Sequence, residues 1–349
     1  QLTVGPGGSL IRTAAATSPL GITMDGINSY GVLNIAGGTV DTSIRTIQFG
    51  FGTAATSVGN RGFVNLASGT LSVGSAITQA NTTAGASYFD YFNFAGGTLR
   101  STAAITWLPA ASAAQHTLTA TIYGPVTNNN NANAAFNTQI GATSNFIGGL
   151  TVDTNGFATT IASPLRVASG VGVTQTDLGD ISLLAGNSGY IGAPAVVFSP
   201  PSGSGVPATG YAVINAGKVN GIVITNPGTY ASGETPTVTL SGGGGSIASF
   251  TTSALTTANT AGGLTKTGAG ILTLSGANTY NGATTVNGGT LQLNGSAAGA
   301  PTTSAVTVGA GGTLGFTAAA ASNLDLTAKS LTLSGGNLNF DVGASGINA

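Results

Sequence analysis

One short unit recurs through this sequence and constrains its fold more than any other feature. The unit is an apolar stretch, a corner of two small residues, then Thr or Asn followed by a second apolar stretch. Its copies are LNIAGGTV (33–40), VNLASGTL (64–71), FNFAGGTL (92–99), TVNGGTLQL (285–293), TVGAGGTLGF (307–316) and LTLSGGNLNF (331–340). The corners are 30 and 29 residues apart in the N-terminal half and 23 and 24 residues apart near the C terminus. Each interval fits one coil of a β-solenoid, with wider coils in the N-terminal half.

Apolar residues alternate within these stretches, which predicts half-buried strands. In the run at 271–274, Leu272 and Leu274 share one face and Thr273 lies on the other. The glycine pair at 288–289 supplies the tight backbone that a sharp corner needs. No stretch has apolar residues at helical spacing over a dozen positions. The predicted fold class is therefore all-β.

The continuous run LTKTGAGILTLSGANTYNGATTVNGGTLQL, from Leu264 to Leu293, closely resembles the passenger-associated transport repeat, also called the autotransporter-associated β-strand repeat. In that family the repeat forms coils of a right-handed parallel β-solenoid on exported bacterial surface proteins. The resemblance therefore implies a right-handed parallel β-solenoid (β-helix) on a secreted protein at a bacterial cell surface.

A second pattern marks a separate module between about residues 187 and 245. Its two copies are NSGYIGAPAVVFSPPSGSG and NPGTYASGETPTVTLSGGGG, and the stretch at 211–225 between them predicts a hairpin. The copies resemble, more loosely, the Gly-Tyr-Pro β-repeat of phage and bacterial surface fibre proteins. The residues that carry this second resemblance are Tyr190, Pro194, Tyr230 and Pro236.

Four parts are predicted along the chain. Residues 1–20 form an N-terminal strand that could act as a donor segment, and residues 21–185 form the N-terminal solenoid coils. Residues 186–254 form a small inserted β-domain. Residues 255–349 form the C-terminal solenoid with the passenger-type repeat.

Charge is scarce in this sequence, which limits the partners it can recognise. Eight basic and nine acidic residues occur among 349, whereas charged residues usually form about 25% of a soluble domain. A net charge of −1 gives no electrostatic footprint for nucleic acid or an anionic membrane. No run approaches the ~18 apolar residues of a membrane span. Cysteine is absent and His116 is the only histidine, so we expect no cofactor and no metal site.

Catalysis is not expected either. The best paired carboxylates are Asp177 and Asp180, with Arg166 upstream, but Asp beside glycine more often caps local backbone. No acid lies near His116 in the sequence to orient it as a base. The asparagines at 128–131 and 133 are most simply a solvated loop, with a stacked Asn ladder as the alternative.

The aromatic run YFDYFNF (88–94) indicates a surface that meets another part of the chain or a partner. Tyr88, Phe92 and Phe94 share one face of a strand there, and Phe89 and Tyr91 share the other. One narrow coil cannot bury both sets. The exposed set therefore meets a neighbouring loop, another subunit or a sugar ring.

A solenoid ends in open strand edges, which natural proteins cover with charge, proline or capping elements. This chain has little charge for that purpose, so we predict that copies stack head to tail and that the N-terminal strand completes a neighbour's edge. The predicted function is a structural subunit of an extracellular or cell-surface fibre. The alternative is an adhesin-like passenger that binds glycans, and a polysaccharide-active enzyme ranks third. The candidate contacts with other copies or partners are Leu2, Val4, Tyr88, Phe89, Tyr91, Phe92, Phe94 and Trp107.

Overall fold

The computed structural model describes residues 1–11, 18–23, 26–110, 112–247, 249–295, 305–318 and 330–341. The strands of the N-terminal half are β1 (Leu2–Val4), β2 (Ser9–Ile11), β3 (Leu20–Gly21), β4 (Tyr30–Thr42), β5 (Ile47–Phe49), β6 (Asn60–Val73), β7 (Thr78–Gln79), β8 (Tyr88–Phe94), β9 (Thr98–Ser101), β10 (Ile105–Leu108), β11 (His116–Ile122), β12 (Leu150–Asp153), β13 (Ala158–Ile161) and β14 (Leu165–Val167). The later strands are β15 (Ala195–Phe198), β16 (Thr209–Asn215), β17 (Lys218–Asn226), β18 (Thr237–Ser241), β19 (Ser249–Thr251), β20 (Leu264–Thr267), β21 (Ile271–Leu274), β22 (Thr284–Val286), β23 (Gly289–Gly295), β24 (Val306–Gly309), β25 (Gly312–Ala318), β26 (Leu331–Ser334) and β27 (Asn337–Asp341). Two short helices are α1 (Ala134–Ile140) and α2 (Gln175–Leu178).

Parallel pairing stacks most of these strands into a solenoid with three faces. Face 1 contains β1, the first halves of β4 and β6, then β8, β11 and β14. Face 2 contains β2, the second halves of β4 and β6, then β9, β12, β20, β22, β24 and β26. Face 3 contains β3, β5 and β7, continued by β10, β13, β21, β23, β25 and β27. The prediction of an all-β parallel solenoid is confirmed.

The two coil widths seen in the sequence have a structural cause. The first six coils have a strand on all three faces, whereas the segment before β22, residues 275–283, is described and has no strand; the described strands of the β22–β23, β24–β25 and β26–β27 coils lie on faces 2 and 3. Corners between faces 1 and 2 need glycine because successive coils approach closely there. A Cβ on Gly69, whose φ is +83°, would lie 2.1 Å from the Gly38 carbonyl oxygen of the coil below.

Side chains form columns along the stack because every coil repeats the same register. The inward column of face 2 is mostly buried and contains Leu10, Val40, Leu71, Leu99, Val152, Lys266, Val286, Val308 and Leu333. The outward column beside it contains Ser9, Thr39, Thr70, Thr98, Thr151, Thr265, Thr285, Thr307 and Thr332. One lysine therefore interrupts a column that is otherwise aliphatic.

The inserted part of the chain leaves the solenoid twice, both times between faces 1 and 2. Residues 123–149 connect β11 to β12, and residues 168–263 connect β14 to β20. The second insertion contains the antiparallel sheet β15–β18–β19 and the hairpin β16–β17. These strands lie within the predicted module at 186–254, but the boundary at 185 was wrong: residues 168–185 and 123–149 also lie outside the coils, and both insertions share one hydrophobic core.

Side-chain hydrogen bonds dock this inserted domain on the outer side of face 1. Asn65 donates to Asn34 Oδ1 at 2.7 Å, and Asn93 donates to Asn65 Oδ1 at 2.8 Å, which forms an asparagine ladder over three coils. Thr225 of the inserted domain donates to Asn34 Oδ1 at 2.8 Å, and Asn65 donates to Thr209 Oγ1 at 2.9 Å. The inserted domain therefore satisfies polar groups that a bare solenoid would leave to water.

The asparagine-rich run is an internal junction, so the prediction of a solvated loop was wrong for its key members. Asn128, Asn131 and Asn133 are buried. Asn128 Nδ2 donates to the carbonyl oxygens of Ser144 at 2.7 Å and Ile224 at 3.0 Å, which ties the first insertion to the second. Amide side chains suit this position because each offers donors and an acceptor to loop backbone.

The N-terminal strands β1 and β2 form part of the first coil of the solenoid, and the possible role of this segment as a donor to another copy stays a prediction. β1 pairs in parallel with β4, where Leu2 lies beside Leu33 and Val4 beside Ile35. The Gln1 side chain also bonds to the inserted domain, donating to the Gly210 carbonyl and accepting from the backbone N–H of Val196. One backbone edge of β1 is therefore already paired with a strand of the same chain.

Candidate functional site

Most of the predicted partner contacts lie inside the molecule. Trp107 is fully buried and its ring meets the Phe92 ring edge-on, with centroids 5.1 Å apart. The predicted contacts that are buried within the chain are Val4, Tyr88, Tyr91, Phe92, Phe94 and Trp107. A partner contact through these side chains is a wrong prediction, because the coil core and the inserted domain already cover them.

The outward aromatics meet a neighbouring loop, which was the first of the three alternatives. Tyr91 stacks on Phe63 at 4.8 Å and lies in one buried cluster with Val206 of the inserted domain. Phe89 is half-buried, and the Arg61 guanidinium lies 5.2 Å from its ring centre. Leu2 is exposed. A partner role for Phe89 and Leu2 therefore stays a prediction.

The two candidate catalytic carboxylates cap local backbone. Asp177 accepts hydrogen bonds from the Thr174 backbone N–H and hydroxyl at 2.8 and 2.7 Å, in a capping box at α2. Asp180 accepts from the Ser182 backbone N–H at 3.0 Å and from Asn133 at 3.1 Å. Both carboxylates are occupied by turn and cap contacts, as their position beside glycine suggested.

A buried polar cluster occupies the core between faces 1 and 3. His116 Nδ1 lies 2.8 Å from Asp90 Oδ2, and neither side chain reaches solvent. Gln79 donates to the same Asp90 oxygen at 2.6 Å, and the His116 ring stacks on Tyr88 at 4.6 Å. Gly50 passes so close that a Cβ on it would lie 2.8 Å from His116 Cε1.

The proton positions of this cluster follow from its acceptors. His116 Nε2 lies 3.2 Å from the Asn81 carbonyl oxygen, which can only accept, so Nε2 carries a proton. The second proton then lies between Nδ1 and Asp90, as an imidazolium–carboxylate pair or on the carboxyl itself. Burial raises the pKa of the Asp90 carboxyl, opposed by the hydrogen bonds from His116 and Gln79. A histidine–carboxylate pair without access to solvent is a structural contact.

Lys266 places an ammonium inside the solenoid in the coil formed by β20 and β21. Its Nζ donates to the carbonyl oxygens of Thr267 at 2.7 Å, Gly268 at 2.8 Å and Gly288 at 2.9 Å. These carbonyls belong to the corners of two successive coils. Burial lowers the pKa of Lys266 to about 8, which the nearby Asp153 carboxylate partly opposes. Lys266 therefore fastens one corner to the next through its three donors.

The segment after β21 closes the last strand of face 1. Asn278 Oδ1 accepts the backbone N–H of Leu165 at 2.9 Å, and the Thr279 backbone N–H donates to the Leu165 carbonyl at 2.9 Å. The buried Tyr280 hydroxyl lies 2.9 Å from Thr284 Oγ1. The sequence Asn-Thr-Tyr thus caps the edge of β14, which is the last face 1 strand among the described residues.

Replacing Asn278 by alanine tests this cap. We expect the free energy of unfolding to fall by about 1–3 kcal/mol, because the buried Leu165 N–H loses its acceptor. Hydrogen exchange should speed up at the Leu165 amide. Asn281→Ala changes an exposed asparagine of the same segment and is the matched control. Unchanged exchange at Leu165 in Asn278→Ala would contradict the cap.

An open cleft of about 590 Å³ lies between face 1 and the inserted domain. Its floor is formed by the outward threonines of β11 and by Arg166 of β14. Its wall is formed by the loop at 201–206 and the loop at 229–234, which includes Glu234. The lining is largely polar and has one cation and one anion.

Comparisons with known proteins identify one segment. Residues 264–293 match the family model of the passenger-associated transport repeat, which confirms the resemblance drawn from the sequence over the same residues. The repeat suggests an autotransporter passenger-like protein that is secreted or displayed at a cell surface. Neither the curated proteins nor the solved structures returned a match.

Two further searches covered only the part of the chain that the structure describes. None of its helices has both the length and the apolar character needed to cross a membrane. No three or more of its His, Cys, Asp and Glu side chains group closely enough to hold a metal ion.

Proposed function

We propose that this protein is an exported structural subunit of an extracellular or cell-surface fibre, in which copies stack head to tail through their outermost coils. The observation that carries the proposal is the apolar exposure of those coils among the described residues. The inward-facing Leu10 is only half-buried at one end, and Leu333 and Phe340 are 48% and 54% exposed at the other. Covering these side chains with a second coil would be favourable.

The side-chain columns support the same arrangement. If β26 of one copy pairs in parallel with β2 of the next, Thr332 falls beside Ser9 and Leu333 falls beside Leu10. The hydroxyl column and the aliphatic column would then both continue across the junction. Such a head-to-tail contact is heterologous and generates an open filament. No charged side chain stands in either column at the junction.

Leucine-to-aspartate substitution at the end coil tests the fibre. Leu333→Asp should abolish filaments in negative-stain images and leave monomers in sedimentation, because the junction would bury a carboxylate beside corner carbonyls, which cannot donate to it. Thr307→Asp, on the outer side of face 2 two coils away from β2 in the stacked junction, is the control and should assemble. Circular dichroism would check that both variants keep the wild-type strand content. Dispersed wild-type monomers at high concentration would contradict the proposal.

The second candidate is an adhesin-like passenger that binds glycans, and the cleft beside the inserted domain is the observation that favours it. We propose a non-catalytic role in either case, supported by the capping contacts of Asp177 and Asp180 and by the burial of His116.

A further inference from the structure

We infer that the cleft between face 1 and the inserted domain binds an acidic oligosaccharide, with Arg166 pairing with a sugar carboxylate and the threonines of β11 bonding to sugar hydroxyls. This inference is independent of fibre formation, since the cleft lies on the side of the solenoid and away from the outermost coils.

A row of hydroxyls forms the floor of the cleft. Thr117, Thr119 and Thr121 alternate along β11, so all three point outward and neighbouring hydroxyls are about 6.6 Å apart. Thr117 is exposed at the mouth and Thr121 is buried at the inner end. The exposed Thr117 and the half-buried Thr119 can each donate and accept, which suits a ligand with hydroxyls along its length.

Arg166 supplies the one cation of the cleft. It lies directly beside Thr121 in the parallel pairing of β11 with β14, about 4.8 Å along the stack. Its side chain is exposed, and the only ion pairs among the described residues are Arg100 with Asp153 and His116 with Asp90. A guanidinium forms two parallel hydrogen bonds with a carboxylate, which gives it both strength and orientation.

Glu234 on the opposite wall limits the charge of the ligand. Its carboxylate is held by the Ser202 hydroxyl at 2.5 Å and the Ser202 backbone N–H at 3.3 Å. It can accept hydrogen bonds from sugar hydroxyls, but it repels a densely charged polyanion. The pair of charges therefore favours a ligand with spaced carboxylates over a sulfated chain or nucleic acid.

Hydrogen bonds within the protein hold the wall of the cleft in place without a ligand. Val206 and Thr229 exchange hydrogen bonds, from the Val206 N–H to Thr229 Oγ1 at 2.7 Å and from the Thr229 N–H to the Val206 carbonyl at 2.8 Å. The Tyr230 hydroxyl donates to the Ser199 carbonyl at 3.0 Å and accepts from the Ala208 N–H at 2.9 Å. A preorganised wall reduces the entropy that binding would otherwise cost.

Titration calorimetry of the full chain with a hyaluronan oligosaccharide, which carries a carboxylate on every second sugar, tests the inference. We expect saturable binding to wild type, at least about tenfold weaker affinity in Arg166→Gln, and a smaller loss in Thr119→Val, which keeps the side-chain shape. Arg100→Gln removes a guanidinium on face 2 and should bind like wild type. A neutral galacto-oligosaccharide and a heparin oligosaccharide should both bind more weakly.

Three outcomes would overturn the inference. They are no heat of binding at a millimolar concentration of the hyaluronan oligosaccharide, equal affinity of Arg166→Gln and wild type, and equal or tighter binding of the heparin oligosaccharide. Any of these would leave the fibre proposal intact, because filaments are scored separately by microscopy.

Discussion

Replacing His116 by leucine is expected to lower the free energy of unfolding by about 2–4 kcal/mol, since the buried Asp90 carboxyl and the Asn81 carbonyl each lose a hydrogen-bond partner. In this variant the Asp90 carboxylate would keep only the Gln79 amide as a donor among the contacts described here. Asp90 lies inside the coil and has no route to water. Leucine fills most of the imidazole volume, so the loss reports the polar contact more than a cavity.

The variant Asp90→Asn removes the ionisable carboxyl group from the contact with His116 and keeps a polar side chain there. Since His116 Nδ1 and the Gln79 amide meet the same Asp90 oxygen, an amide at position 90 cannot donate to one and accept from the other with a single atom, so one hydrogen bond is lost and we expect a fall of about 1–2 kcal/mol, less than for His116→Leu. The double variant Asp90→Asn/His116→Leu should recover part of the loss. Denaturant unfolding of the four proteins gives the coupling energy directly. If His116→Leu is as stable as wild type, the pair does not hold the core.

Replacing Lys266 by methionine should lower the free energy of unfolding by about 2–4 kcal/mol. Methionine suits the aliphatic column, and exchanging a buried charge for an apolar side chain can be neutral when no partner is left behind. Here three carbonyl oxygens, those of Thr267, Gly268 and Gly288, would lose their donor. Lys218→Met, at an exposed hairpin position, is the control and should stay near wild type.

The pH dependence of this contact has a definite sign. A lysine in the unfolded chain keeps its proton to about pH 10.4, whereas Lys266 in the folded chain releases it near pH 8. Between these values the unfolded state binds more protons, so stability should rise with pH. Lys266→Met should lack this rise when both proteins are unfolded by denaturant from pH 7 to 10. Parallel curves for the two proteins would contradict the shift.

The fold could be predicted because its determinants are local and repeated. Alternation fixed which side of each strand faces inward, and the Gly-rich corners fixed the coil boundaries. The same alternation places Lys266 on the inner side with Leu264, and Asp90 on the inner side with Phe92. The inward positions of both ionisable residues were therefore visible in the sequence, although no role was predicted for either.

The partners of those charges could not be predicted, because they are set by stacking between coils. His116 reaches Asp90 because β11 pairs with β8 in one particular register. Asn34, Asn65 and Asn93 form a ladder for the same reason, and the Thr225 contact requires the inserted domain to fold back over earlier coils. Composition correctly marked the asparagine run as unusual, but polarity alone does not distinguish a solvated loop from a buried junction.

The place where the insertions leave the solenoid also determines how such a chain can diversify. β11 and β12 belong to one coil, as do β14 and β20, yet 27 residues separate the first pair and 96 the second. The strands on both sides of an insertion stay paired with the neighbouring coil, as β11 does with β8 and β12 does with β9. A foreign domain whose two ends lie close together can be inserted at this corner. The solenoid would then display a different domain while its own coils stay the same.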